Sequence, residues 1–150
     1  MMSWTYVAGF FDGEGTITKY GRRTRLAISQ TSYPVLQGIR VFTGLGRIVK
    51  VRKRHKHWKD AWVFSVTAQE EVYRFLSRTL PYLIVKRKKA TAALRSLQHL
   101  LTKYKAKKIK SAEIRRRIHQ LRKKELTYRD IGKILKIDWG NARRIDIGER

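Results

Sequence analysis

A chain of 150 residues is expected to hold one core, or one core with a small appendage. Its 42% hydrophobic content excludes a disordered basic tail. Thirty-six Lys and Arg against eleven Asp and Glu give a formal net charge of +25, more than solubility requires; the surplus points to a polyanionic partner held with steep salt dependence. The absence of cysteine excludes disulfides and thiolate zinc sites. No apolar run approaches the ~20 residues of a membrane-spanning helix, and no signal-peptide pattern opens the chain. The expected setting is therefore the cytoplasm, or the stroma or matrix of an organelle, without a membrane or a small-molecule substrate.

In chain order, residues 4–13 read as a short helix that Gly15 ends through a left-handed terminal conformation. Thr16–Tyr20 and Thr24–Thr31 read as strands around a turn at Gly21-Arg22, supported by β-branched content and the Leu26/Ile28 alternation. Tyr33–Phe42 carries Val35, Leu36, Ile39 and Phe42 at helical spacing, and Gly44-Leu45-Gly46 breaks it. Arg47–Arg54 and Ala61–Thr67 form a second strand pair, Gln69–Thr79 a helix, and Ile84–Leu101 a longer helix beyond Pro81. The expected fold is α+β, with helices covering one face of a four-stranded antiparallel sheet and the other face left for solvent or a ligand. Residues 86–124 hold sixteen Lys and Arg and one acid, Glu113. Few apolar residues occur between Thr102 and Lys110, which reads as a basic linker between a core (1–101) and a helical extension (111–150). Helices are expected there over Ala112–Lys124, Thr127–Leu135 and Asp138–Ile145.

Asp12 and Glu14 are the only acids before Asp60. They lie near the C-terminal end of the first helix, where the partial charge is negative and acids are disfavoured. A divalent cation is the usual compensation for oxygen ligands, and carboxylate-held metal on so basic a protein suggests chemistry on nucleic acid. Gly9 and Gly13, four residues apart, leave one helix face bare enough for a second helix to approach closely.

The segment Val7-Ala8-Gly9-Phe10-Phe11-Asp12-Gly13-Glu14-Gly15 resembles the nine-residue signature of the LAGLIDADG homing endonucleases: Ala-Gly, an apolar pair, Asp, a small residue, an acid and Gly in order. Glu14 stands where Asp is commoner, and Val7 replaces the leading Leu. The expected α-β-β-α-β-β-α order resembles the family core over residues 4–101. The resemblance implies that Glu14 and the Gly13 carbonyl hold a catalytic Mg²⁺, with Mn²⁺ as a substitute, and that Gly9 and Gly13 pair with a second subunit. Asp12 is assigned to fixing the helix end, with a metal role left open. A single signature implies a homodimer acting on a palindromic or near-palindromic site in double-stranded DNA. Ile28-Ser29-Gln30-Thr31 resembles the segment whose glutamine orders active-site water, a role that falls to Gln30. Pro81-Tyr82-Leu83-Ile84-Val85-Lys86-Arg87-Lys88-Lys89-Ala90 resembles the segment whose lysine lies near the scissile phosphate. Lys86 aligns best and Lys88 is its competitor.

A sheet face fits the major groove and presents every second side chain. With Leu26 and Ile28 inward, Arg25, Ala27 and Ser29 face DNA; on the first strand the outward set is Thr18, Tyr20 and Arg22, with Lys19 and Arg23 near phosphates. Trp62, Phe64 and Val66 point inward, leaving Ala61, Val63 and Ser65 outward. The third strand supports two phases: resemblance favours Arg47 and Val49 towards DNA, and charge favours Lys50 and Arg52. The loop 53–59, with His55 and His57 as cations or phosphate donors, is expected to reach the backbone. In the extension, Leu126–Ile145 looks like a helix-turn-helix with Thr127 and Asp138 as caps. Lys136 stands at the usual turn glycine, and Trp139, Asn141, Arg143 and Arg144 either face DNA or belong to a purely structural cap. The resulting expectation is a freestanding, intron-encoded, site-specific double-strand DNA endonuclease. An RNA maturase on the same core and a non-cleaving helix-turn-helix regulator are the rivals.

Overall fold

The computed structural model describes residues 1–53 and 55–148, in two compact units, Met1–Leu101 and Thr102–Arg150. In the first unit, helix α1 (Trp4–Glu14) runs directly into the hairpin β1 (Gly15–Tyr20) and β2 (Arg23–Gln30), followed by α2 (Tyr33–Thr43). A second strand pair, β3 (Arg47–Lys50) and β4 (Trp62–Val66), precedes α3 (Gln69–Thr79), a 3-10 turn (Leu80–Tyr82) and the start of α4 (Arg87–Arg122). The four strands form one antiparallel sheet in the order β1-β2-β4-β3. This is the α+β architecture that the hydrophobic periodicity predicts.

Alternation places Ile17, Leu26, Ile28, Phe64 and Val66 on one face of the sheet, all of them buried. Val7, Ala8 and Phe11 of α1, Leu36 and Ile39 of α2, Val72, Phe75 and Leu76 of α3, and Ala90 and Leu97 of α4 complete that core. Phe75 is its hub: its ring centroid lies 5.2 Å from that of Phe11 and 6.3 Å from that of Phe64. α1 begins at Ser3, whose side chain accepts from the Tyr6 N–H at 3.2 Å. It ends at Gly15 for a different reason from the expected left-handed turn. Gly15 is extended (φ −82°), and a Cβ there would come within 2.1 Å of the Phe11 ring. Room for packing, not backbone freedom, requires glycine at that position.

Three element boundaries differ from the sequence expectation by more than two residues. β3 stops at Lys50, although the Val51 N–H still donates to Ala61 at 2.8 Å; Arg54, expected to close this strand and open the loop, lies outside the described residues. Residues 84–86 do not begin α4, because their N–H groups are bound to Asp12. Residues 102–110, expected as a linker, lie inside the single helix α4, since Lys, Ala and Tyr are tolerated in helices and no Gly or Pro interrupts the run.

The second unit consists of the end of α4, α5 (Tyr128–Leu135) and α6 (Trp139–Ile147), packed around Ile118, Ile131 and Ala142. Thr127 caps α5 in a capping box: its side chain accepts from the Asp130 N–H, and Asp130 accepts from the Thr127 N–H. Asp138 caps α6 by accepting from the Asn141 N–H at 3.0 Å. Lys136 adopts the left-handed conformation in place of glycine (φ 53°), donating its N–H to Gly132 and Lys133. The compensating glycine is Gly132, where a Cβ would come within 2.8 Å of the Ile137 carbonyl.

Candidate active site and nucleic-acid interface

The end of α1 is assembled by Asp12. Its carboxylate accepts from the N–H groups of Ile84 (2.7 Å), Val85 (2.9 Å) and Lys86 (2.7 Å), immediately before α4. The Lys86 ammonium donates back to the Asp12 carbonyl, placing a cation at the negative end of α1. Desolvation raises the Asp12 pKa, but the three N–H groups and the Lys86 charge outweigh it and hold the carboxyl below its ordinary value. The positive compensation expected for the acid pair is thus supplied to Asp12 by the protein itself. Its place is that of a clamp.

Glu14 receives no such compensation. It is the last residue of α1 and exposed, and among the described residues no side chain pairs with its carboxylate. The Gly13 carbonyl beside it belongs to the last turn, where helical carbonyls lack intrahelical partners. The β1–β2 register sets Gly15 opposite Ile28, so β2 delivers Gln30 to the same end of the sheet. The Gln30 side chain lies in the phase of Leu26 and Ile28, and its oxygen accepts from the Thr31 N–H at 2.8 Å. Of the two competing lysines, Lys86 is tied to α1, while Lys88 is exposed on the first turn of α4.

Among the described residues, no group of three or more His, Cys, Asp or Glu could hold a metal. Glu14 and the Gly13 carbonyl are hard oxygen donors but an incomplete set. They fit Mg²⁺, which keeps waters and takes substrate phosphate oxygens, and do not fit an all-protein cage. His55 and His57 stack with ring centroids 5.6 Å apart and have no third ligand.

The sheet face opposite the core presents its side chains in rows. Ser29, Val63 and Val49 share the row nearest Glu14; Thr16, Ala27, Ser65 and Arg47 form the next, followed by Thr18 with Arg25 and then Tyr20 with Arg23. Small neutral side chains therefore lie near the acid, and Arg47, Arg25 and Arg23 lie farther out. Thr16 on this face escaped the sequence reading, although the period-2 pattern extended one step places it; Arg23, expected near phosphates, shares the face opposite Tyr20. The phase of β3 is decided by Ile48, which packs on the core, so Arg47 and Val49 (50% exposed) face outward. Lys50 falls on the other side, paired with Asp60 at 2.9 Å and above the Trp62 ring; Arg52 lies beyond the strand. Charge is thus the wrong guide for Lys50. Ser65 shares the outward face but is only 4% exposed, because a short side chain between Ala27 and Arg47 on the neighbouring strands becomes the floor. Arg22 sits in the hairpin turn, and Lys19 pairs with the buried Thr24 on the helix-covered side. Gly9 and Gly13 both face open space: a Cβ on either would meet nothing within 4 Å. Arg143 and Arg144 are exposed on α6 in the second unit.

The first unit is thus an α-β-β-α-β-β-α module with one bare, arginine-bearing sheet face and an unpaired acid where the first helix enters the sheet. The sequence model of the LAGLIDADG-like domain matches residues 4–79, and the chain belongs to that family. Among solved structures, the homing endonuclease I-CvuI in complex with its target in the presence of calcium is 26% identical, with a TM-score of 0.52 over 63% of this chain and 65% of that one. The same endonuclease on another target with magnesium, its DNA not cleaved, gives 26% identity and a TM-score of 0.50. The matched part thus spans just under two thirds of that protein. The archaeal intron-encoded homing endonuclease I-Vdi141I complexed with DNA shares the fold, at 18% identity and a TM-score of 0.54, over 97% of this chain and 95% of that one. Curated protein sequences give no match. Among the described residues, no helix is long and apolar enough to cross a membrane.

Proposed function

We propose that the protein is a site-specific, divalent-metal-dependent endonuclease that cuts both strands of duplex DNA as a homodimer. The observation that carries this reading is the contrast between the two acids. Asp12 is consumed by three N–H groups and Lys86, whereas Glu14 two residues on is exposed and unpaired beside the bare sheet face. An uncompensated carboxylate in a +25 protein that faces phosphate makes sense as a metal ligand.

Glu14 and the Gly13 carbonyl would hold Mg²⁺, with Mn²⁺ as a substitute; the metal would stabilise charge on the attacking and leaving oxygens of the phosphodiester. Lys86, fixed by its bond to α1, supplies positive charge close to the phosphate. Gln30, whose oxygen accepts from Thr31, would hold a water through its amide. Arg23, Arg25 and Arg47 with Thr16, Thr18, Tyr20, Ala27 and Ser29 read the groove, and their two-residue row spacing of ~7 Å spans about two base pairs. The open face around Gly9 and Gly13 admits the same face of a second copy. Two copies supply two acids, one for each strand.

The test is selection from duplexes with randomised palindromic inserts of about 20–24 bp, two half-sites a turn or more apart. Cut ends are sequenced from parallel Mg²⁺ and EDTA reactions. Symmetric, metal-dependent cuts are expected, and Glu14→Gln should lower cleavage by at least about 10²-fold while sparing binding in EDTA. Full cleavage by that variant removes Glu14 from the site, and binding without cuts by the wild type favours a regulator. For the dimer, Gly9→Leu should halve the sedimenting mass; an unchanged mass refutes this interface.

A further inference from the structure

We propose that the C-terminal unit is a second grip on duplex DNA. In it, the depression between α5 and α6 seats a backbone phosphate on Arg129, Lys133 and Lys136, and the outer face of α6 lies along the major groove. The inference rests on the chain being a DNA-binding protein and does not depend on cleavage.

The helix pair is built to hold a fixed angle. Both N-termini are capped by side chains, the turn is closed by the left-handed Lys136, and Gly132 lets the chain at Ile137 approach closely. The apolar faces are already used: Ile131 and Leu135 of α5 and Ala142 and Ile145 of α6 pack with Ile118. What remains on α6 lies opposite Ala142 and Ile145 and consists of Gly140, Arg143, Arg144 and Ile147. Arg143, Arg144 and Ile147 are exposed, and Gly140 carries no side chain to keep the first turn from a groove floor. Core packing explains none of these positions.

The depression in front of α6 is floored by Gly132 and Ile137 and ringed by Arg129, Lys133, Lys136 and the half-exposed Trp139. One acid, Asp138, also lines it, and its carboxylate is occupied with the Asn141 N–H. Asp130 of α5 is occupied with Thr127. Three cations against one committed acid leave the depression a net positive seat, and the positive end of α6 adds to it. A B-form major groove admits a helix of this kind, whereas the A-form groove of double-stranded RNA is too deep and narrow for it. Duplex DNA is therefore the partner.

The experiment uses the full chain in EDTA, so that binding is read without cleavage. Affinity for duplex DNA is measured from 50 to 200 mM salt for the wild type and for a triple variant, Arg129→Gln, Lys133→Gln and Lys136→Asn. All three side chains are exposed, and Asn tolerates the left-handed conformation at position 136. Losing the one seated phosphate should flatten the log–log salt slope by about 0.9, so that the loss of affinity across that range shrinks about 3.5-fold. A second variant, Arg143→Gln with Arg144→Gln, should relax base preference at part of the selected site. An unchanged slope in a triple variant with wild-type circular dichroism overturns the proposal, as does a larger effect on structured RNA than on duplex DNA. Metal-dependent cleavage with an unchanged slope would remove the grip and leave the nuclease; a flattened slope without cleavage would do the reverse.

Discussion

The two units hold themselves together by different means. The first buries large side chains from four helices and a sheet on a common centre, with Phe11, Phe64 and Phe75 in ring contact. The second has only Ile118, Ile131 and Ala142 as fully buried apolar side chains among its described residues, and small cores are marginal. Around them stand directed polar contacts: the Thr127–Asp130 box, the Asp138 cap, and a network on Asp146. The Tyr128 hydroxyl donates to Asp146 at 2.8 Å, and His119 Nδ1 stands 2.9 Å from its other oxygen. Among the described residues, no hydrogen bond reaches that buried oxygen. A unit short of apolar volume relies on geometry at its helix ends, and Arg129, Lys133 and Lys136 stay exposed.

The largest test of this contrast is Phe75→Ala, expected to destabilise the first unit by about 3–5 kcal/mol in denaturant unfolding. A loss below about 1 kcal/mol would show that its core is not centred there. Next comes Asp12→Asn, which replaces a charged acceptor of three N–H groups with a neutral one and should cost about 1–2 kcal/mol near neutral pH. The Asp12 pKa is depressed in the folded state, so its contribution is present above the unfolded value of about 3.9 and fades as pH falls through the folded value. The difference between wild type and variant should therefore shrink below about pH 4. A difference independent of pH would mean that the charge is irrelevant.

The smallest and sharpest test is a matched pair of cap deletions, Ser3→Ala and Thr127→Ala, each worth about 1 kcal/mol. The first should leave hydrogen exchange in α1 slow; the second should speed exchange across α5 and α6 by about 5-fold, since a small unit opens as a whole. Equal responses would erase the distinction between the units.

Much of the candidate site was readable from residue order. The acids in an almost acid-free half, the small residues at positions 9 and 13, and the Leu26/Ile28 and Phe64/Val66 alternations each carry a local physical signal. Other positions carry none. In Arg47-Ile48-Val49-Lys50-Val51-Arg52, apolar and basic residues alternate, so either phase satisfies the pattern. Only Ile48 docking on the core settles it. The start of α4 was misplaced because Ile84 and Val85 look like helix residues, and their N–H groups are claimed by an aspartate 72 and 73 positions earlier.

By itself the sequence determined the order of elements in the first unit, the inward set of β2 and β4, and the presence of an isolated acid pair in a cationic chain. These follow from periodicity, capping and charge, which act over a few residues. Tertiary structure supplied the partners behind roles that the resemblance only assigned, the three N–H groups on Asp12 and the bond from Lys86 to α1, and it alone decided that Ser65 is a floor. Those outcomes depend on which distant backbone groups and neighbouring strands come to a given side chain. Contacts of that range leave no trace in local pattern.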